Sequence, residues 1–305
     1  MAACRLRCRS VNSWIDAALV AAHTRGVRLG ITMVVTDRSI SVRTLARAVE
    51  ERGFTSLWLP DHTHVPVERR SPYPLGGELP ERYLRVVDPL AGVAMAAAVT
   101  IRLRVGTGVL LLAQRDPIVT AKAIATIDHE SGGRVVLGFG YGWNIEEMAD
   151  HGVVAPTRRA RAHEHLAVMR RLWEDEVAYH SGRYASLAPS WAWPKPTQRP
   201  FPVLLGAAAR PAVFRTVADL GIGWIALGAK AALEGVGPLR AAYEAAGRDP
   251  AVLEVVCFTT NRVERGVLDQ LAAAGIDEVA FDVPPTAEAE AMAALDELAK
   301  AVEPA

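Results

Sequence analysis

The chain has 305 residues, half of them hydrophobic and 22% charged, with Lys plus Arg equal to Asp plus Glu. That length holds two average domains or one α/β barrel of about 250 residues, and the composition suits a soluble protein with a large core. No basic stripe interleaved with aromatics supports nucleic-acid binding, and no apolar run approaches the roughly 20 residues of a membrane span.

The chain opens on Arg5, Arg7 and Arg9, then a weak apolar stretch, Trp14–Ala22, broken by Asp16. A secretory signal needs a cleaner apolar core and a small-residue cleavage site. Residues 1–26 therefore read as a disordered or loosely docked extension, and 27–305 as one domain. Cys4 and Cys8 have ligand-like spacing but lack a second Cys/His pair, so no metal is expected. Cys257, in an apolar run, reads as a small buried hydrophobe. So few cysteines fit a reducing cytoplasm.

Strands are expected at Arg28–Val35, Ser56–Leu59, Leu103–Leu112, Arg134–Phe139, Val203–Leu205, Trp224–Leu227, Val252–Phe258 and Val279–Phe281. Most are short continuous apolar runs, the pattern of parallel strands buried on both faces. Helices lie between them. Ser41 can cap one that runs to Arg52 and ends at Gly53. Asp88-Pro89 opens a second through Ala98, Ile118–Glu130 is a third stopped by Gly132-Gly133, and another runs from Arg158 to near Trp173. About eight β/α units predict a (β/α)8 TIM barrel rather than a doubly wound sheet.

Two connections exceed plain turns. Pro60–Val87 carries Arg69, Arg70, Tyr73 and Tyr83; Val177–Pro202 carries Tyr179, Tyr184, Trp191 and Trp193. Long loops in compact domains are commonly lids or binding loops, so both are expected at the C-terminal mouth, where barrels bind ligands. Surface insertion is the alternative.

Chemistry is sought at the strand ends. Asp61 and His62 directly follow the second strand, and histidine can serve as acid, base or ligand near neutrality; loop capping is the plainer role. Gly106-Thr107-Gly108-Val109 interrupts the third strand, and glycine there marks a bulge or a close backbone contact. Gly140-Tyr141-Gly142-Trp143, with Asn144, Glu146 and Glu147, follows the fourth strand without the spacing of a dinucleotide fingerprint. Gly206-Ala207, ahead of Arg210, forms a small-residue turn into a helix, suited to a phosphate or to simple capping. Asp128 and Arg134 read as a helix–strand junction. Arg158, Arg159 and Arg161 read as a solvated face from which one arginine could reach a cofactor tail.

The segments LWLPDH, GTGV, RDPIVTAKAIATIDHESGGR, LGFGYGWNIEEM, PKPTQRPFPVLLG and AAAGIDEVAFDVP occur in this order between Val27 and Ala299. Together they resemble the luciferase-like flavin and deazaflavin oxidoreductases, most closely the actinobacterial branch that uses coenzyme F420. The resemblance implies a luciferase-like TIM barrel, a homodimer, and hydride transfer between F420 and a small organic substrate, with His62 as acid or electrostatic partner. An FMN-dependent monooxygenase and a cofactor carrier without turnover are the alternatives. It implies cofactor contacts at Asp61, His62, Thr107, Gly108, Val109, Gly140, Tyr141, Gly142, Trp143, Glu146, Gly206 and Ala207, with a cis peptide at Gly108–Val109. Two departures stand out. Trp143 occupies the place of a catalytic glutamate in sugar-phosphate-oxidising members, which implies a more apolar substrate. Ala207 replaces a common glycine, at roughly 1–2 kcal/mol of strain if that position is left-handed.

Overall fold

The computed structural model describes residues 26–259 and 264–302. The expectations for the N-terminal extension, Cys4 and Cys8 included, fall outside the described residues except for Gly26. In chain order the strands are β1 (Arg28–Thr32), β2 (Ser56–Leu59), β3 (Arg104–Leu111), β4 (Val135–Gly140), β5 (Ala178–Ser181), β6 (Ser186–Ser190), β7 (Val203–Gly206), β8 (Gly223–Leu227), β9 (Val255–Thr259) and β10 (Glu278–Asp282). All but β5 and β6 pair in parallel and close as β1-β10-β9-β8-β7-β4-β3-β2. The apolar runs expected to be strands form this ring, and the fold is a TIM barrel.

Helices pack outside it: α1 (Val42–Glu51), α2 (Pro89–Val99), α3 (Pro117–Ser131), the short α4 (Ile145–Asp150), α5 (Arg158–Glu174), α6 (Pro211–Leu220), α7 (Ala229–Ala245), α8 (Arg265–Ala273) and α9 (Glu288–Val302). Their ends follow local chemistry. Ser41 and Asp88 accept the free amides of Thr44 and Ala91, as N-caps do. Gly132, at φ 72°, closes α3 in the left-handed conformation, which glycine adopts without a Cβ clash. None of the helices among the described residues is long and apolar enough to cross a membrane.

Side chains from alternate strand positions fill the lumen. Trp58, Val136, Leu204, Ile225, Val256 and Ala280 form one buried cluster, with Val109 and Phe258 packed on it. Below it Glu278, wholly buried at the start of β10, accepts from Ser56 Oγ (2.5 Å) and Trp58 Nε1 (2.7 Å). Arg28 and Arg104 bind Glu254 and stand 3.5 and 3.7 Å from Glu278. Charge thus closes the N-terminal end of the barrel.

Asp128 accepts the amides of Val135, Thr197 and Gln198, and Arg134 donates to the carbonyls of Ala97, Thr100, Leu103 and Ser131. Both residues do fix a helix–strand junction.

The second long connection meets the expectation only at its tip, where Tyr184–Ser186 line a cavity with Gln114, Arg115 and His151. It contains the antiparallel hairpin β5–β6 and lies along the flank, over α3 and α5. Glu164 on α5 accepts the amides of Arg183, Tyr184 and Ala185. Lys195 donates to the carbonyls of Leu172 and Asp175 at the end of the same helix. The reason is topological: a segment between a helix C-terminus and the start of the next strand begins and ends at the N-terminal face. Trp191 lines a flank cavity of about 220 Å³ with Ile118, Lys122 and Trp173.

Candidate active site at the barrel mouth

The first long loop does cover the C-terminal mouth. His62, just beyond β2, is buried, and its Nδ1 lies 2.7 Å from Glu147 Oε2. Glu147 is fully buried, and its other oxygen accepts the Thr63 amide at 3.1 Å. An ionised carboxylate only accepts, so Nδ1 carries the hydrogen of this bond and Nε2 takes no part in it. Around the imidazole stand Tyr83 and Trp143, each with its ring centre 5.6 Å away and edge-on. Tyr73 touches both of them, at 5.4 and 6.0 Å, and Arg69 lies over Trp143. These rings pack as an aromatic cluster around the buried histidine.

Glu147 is placed by α4. Asn144 caps that helix by accepting the Glu147 amide, which makes Glu147 the third helical residue. Glu146, one position earlier, instead accepts the Arg70 and Ser71 amides of the covering loop. A hydrogen bond from the Ser71 side chain, then one from the Arg70 amide, lowers the Glu146 carboxyl to about 2.

The middle of the mouth is set by β3. The Gly108–Val109 peptide is cis, and the β3–β4 register shifts between Thr107 and Leu110. Val109 fills space left by two glycines: a Cβ on Gly140 would fall 2.6 Å from one of its methyls, and a Cβ on Gly206 2.4 Å from the other. Larger residues at 140 or 206 would displace Val109. A Cβ on Gly108 would lie 2.7 Å from the Phe258 ring and 3.1 Å from Trp58 Cβ. Position 108 therefore faces the barrel interior, and a bulky residue there would disturb the core before it touched a ligand.

Several other expected contacts prove to be engaged within the chain. Asp61 is buried and accepts from Leu111 N–H (3.0 Å) and from Arg115 through both oxygens (2.7 and 2.8 Å). Arg115 also reaches Asp88. The Thr107 hydroxyl donates to the Gly138 carbonyl at 2.7 Å. The polar side-chain atoms of Asp61 and Thr107 thus fix the ends of β2, β3 and β4.

Tyr141 turns its hydroxyl to His163 Nε2 (2.7 Å), and Arg159 lies over its ring at 5.3 Å. Burial raises this phenol to about 12 against the opposing charge of Arg159. Gly142 is left-handed, at φ 72°. Of the three arginines in the first turn of α5, Arg159 reaches the mouth loop, whereas Arg158 and Arg161 donate to the Ala155 and Gly152 carbonyls. The Ala207 carbonyl accepts from Trp224 Nε1 at 2.9 Å, and the N-terminus of α6 beyond it receives no side-chain cap. The sequence motifs missed Glu147 as the partner of His62, and Arg115. The cap spacing Asn144-x-x-Glu147 was the available signal for the first, since it selects the third helical residue.

Comparison with known proteins agrees with this architecture. The luciferase-like monooxygenase family model matches residues 38–298, and the chain belongs to that family, a family of oxidoreductases. An uncharacterized protein of Mycobacterium tuberculosis is 40% identical over 274 residues, covering 88% of this chain and 96% of the relative. An F420-dependent glucose-6-phosphate dehydrogenase of Amycolatopsis mediterranei is 34% identical over 185 residues, 59% of this chain and 51% of that protein. The monooxygenase RslO1 from Streptomyces bottropensis shares the fold at TM-score 0.72 and 21% identity, over 90% of this chain and 98% of that one.

Proposed function

We propose that this chain is an F420-dependent oxidoreductase that moves a hydride between the deazaflavin and a small, largely apolar organic molecule. The observation that carries the reading is the buried His62–Glu147 pair in the aromatic mouth, beside Val109 in its slot between Gly140 and Gly206. Those glycines leave a surface with few projecting side chains, which fits a flat ring. The similarity to an F420-dependent dehydrogenase favours the deazaflavin.

When bound, the coenzyme supplies the hydride-carrying carbon, chemistry that no side chain here possesses. Val109 and the ends of β4 and β7 would support the ring. The Gly206-Ala207 turn and the uncapped N-terminus of α6 would hold a phosphate, through free amides and the helix dipole. Glu147 orients His62 so that Nε2 can hold or deliver a proton at the substrate. Trp143, Tyr73 and Tyr83 exclude water and leave no carboxylate at position 143 for a sugar phosphate. In the same reading the protein works as a homodimer in the cytoplasm, with the exposed Ala91, Met95 and Ala98 of α2 available for an isologous contact.

Fluorescence titration of the full chain with F420 and with FMN tests this. Saturable binding of F420, with FMN much weaker, is expected. Tight FMN binding with none of F420 would instead make the chain a flavin-dependent monooxygenase.

A further inference from the structure

We infer that Tyr83, with Tyr73 behind it, is a specificity-determining hydrogen-bond donor for the oxygen of an uncharged substrate, a ketone or secondary alcohol on an apolar or aromatic body. The inference rests on the functional reading above and deepens it.

The Tyr83 ring stands edge-on to the His62 imidazole, 5.6 Å away, in the same aromatic cluster as the candidate proton-handling group. Tyr73 donates to the Tyr83 oxygen at 3.2 Å. A phenol has one hydrogen, and accepting from Tyr73 leaves that of Tyr83 free for a ligand. Burial, and next the Tyr73 bond, raises Tyr83 to about 12, which keeps it a neutral donor. Arg82 lies 5.5 Å from the centre of the Tyr83 ring, and its guanidinium is 3.7 Å from Asp282 at the end of β10. These contacts tie the covering loop to the barrel and fix the height of the hydroxyl.

The walls around this donor are Trp143, Tyr73 and the His62 ring. They suit a flat apolar body with one oxygen acceptor near its reacting carbon. Tyr83 O–H could then meet that oxygen, with His62 at the reacting carbon's side. Neither role follows from the Pro60–Val87 sequence alone, since Tyr73 and Tyr83 are ten residues apart in an irregular loop.

The test compares acetophenone with α-methylstyrene, which has the same shape but no oxygen acceptor. Binding to the full chain is read by tryptophan fluorescence, before and after addition of F420. Wild type is expected to prefer acetophenone. Tyr83→Phe should weaken acetophenone about 3- to 10-fold, the range of a single neutral hydrogen bond, and leave α-methylstyrene unchanged. Tyr73→Phe should weaken acetophenone by less. Equal weakening of both probes in Tyr83→Phe, or no change in either, would overturn the inference. So would a wild type that binds the two probes alike or binds neither. If Tyr83→Phe does not fold, wild-type discrimination and Tyr73→Phe still decide the question. The arm without coenzyme separates this outcome from failure of the F420 reading.

Discussion

Replacing Glu147 by glutamine and by alanine separates what its size does from what its charge does. The native carboxylate receives His62 Nδ1 at 2.7 Å and the Thr63 amide at 3.1 Å, in a fully buried position. Alanine leaves both donors without partners, and at about 1–3 kcal/mol for each buried unsatisfied group the loss is about 2–6 kcal/mol. Glutamine keeps an acceptor for Thr63 but turns an amide N–H toward Nδ1. The imidazole can satisfy that group only by moving its hydrogen to Nε2, and the loss then falls to about 1–2 kcal/mol. The nitrogen offered to a ligand would change from acceptor to donor. Urea unfolding measures the two stability losses, and ¹⁵N NMR of the histidines reads the tautomer. Equal losses for the two variants, with the His62 tautomer unmoved in Glu147→Gln, would refute the idea that this bond orients the ring.

At the other end of the barrel, Glu278→Ala is expected to destabilise by about 3–5 kcal/mol, because it leaves Trp58 Nε1, Ser56 and two arginines short of a partner. Urea unfolding checks the loss, and F420 affinity should stay within about twofold. The Glu146 carboxyl, lowered from 4.5 to about 2, contributes fully above pH 4.5 and loses its contribution as pH falls through 2. Exchange protection of the Arg70 and Ser71 amides should fall across that window and show no such step in Glu146→Gln. A chain that begins at Val27 is expected to melt cooperatively and keep its affinity for F420, since ring closure between β1 and β10 starts at Arg28; a non-cooperative melt would contradict the assignment of 27–305 as one domain.

The barrel was legible because strands buried on both faces must be continuous apolar runs, and each run became a strand within a few residues. The hairpin was not. Ala178–Ser181 and Ser186–Ser190 are short and mostly not buried, so nothing in their polarity marks them. Burial also misled in detail. Asp61 and Thr107 were visible as polar residues at strand ends, but not that Arg115 and the Gly138 carbonyl would take their side chains. The His62–Glu147 pair joins residues 85 apart, and adjacent glutamates look alike until the cap at Asn144 sets which one turns inward.

The two ends of the barrel both pair their buried carboxylates, and the mouth adds buried phenols. At the N-terminal end, Glu254 and Glu278 meet Arg28 and Arg104, so charge is balanced within the fold. At the mouth, Asp61 is paired with Arg115 and loop hydrogen bonds lower Glu146, while burial holds the phenols neutral. Burial raises Tyr141 and Tyr83 to about 12, and it raises Asp282 as well, with Arg82 only partly opposing. The carboxylates there are already taken up by Arg115 and by loop amides, as buried charge is tolerated only where it is paired. Arg82 and Arg69, the cations nearest the aromatic cluster, are turned to Tyr83 with Asp282, and to Trp143 with the Ser71 carbonyl. With no carboxylate at Trp143 and both arginines engaged, this arrangement supports the neutral, apolar substrate proposed above over a sugar phosphate.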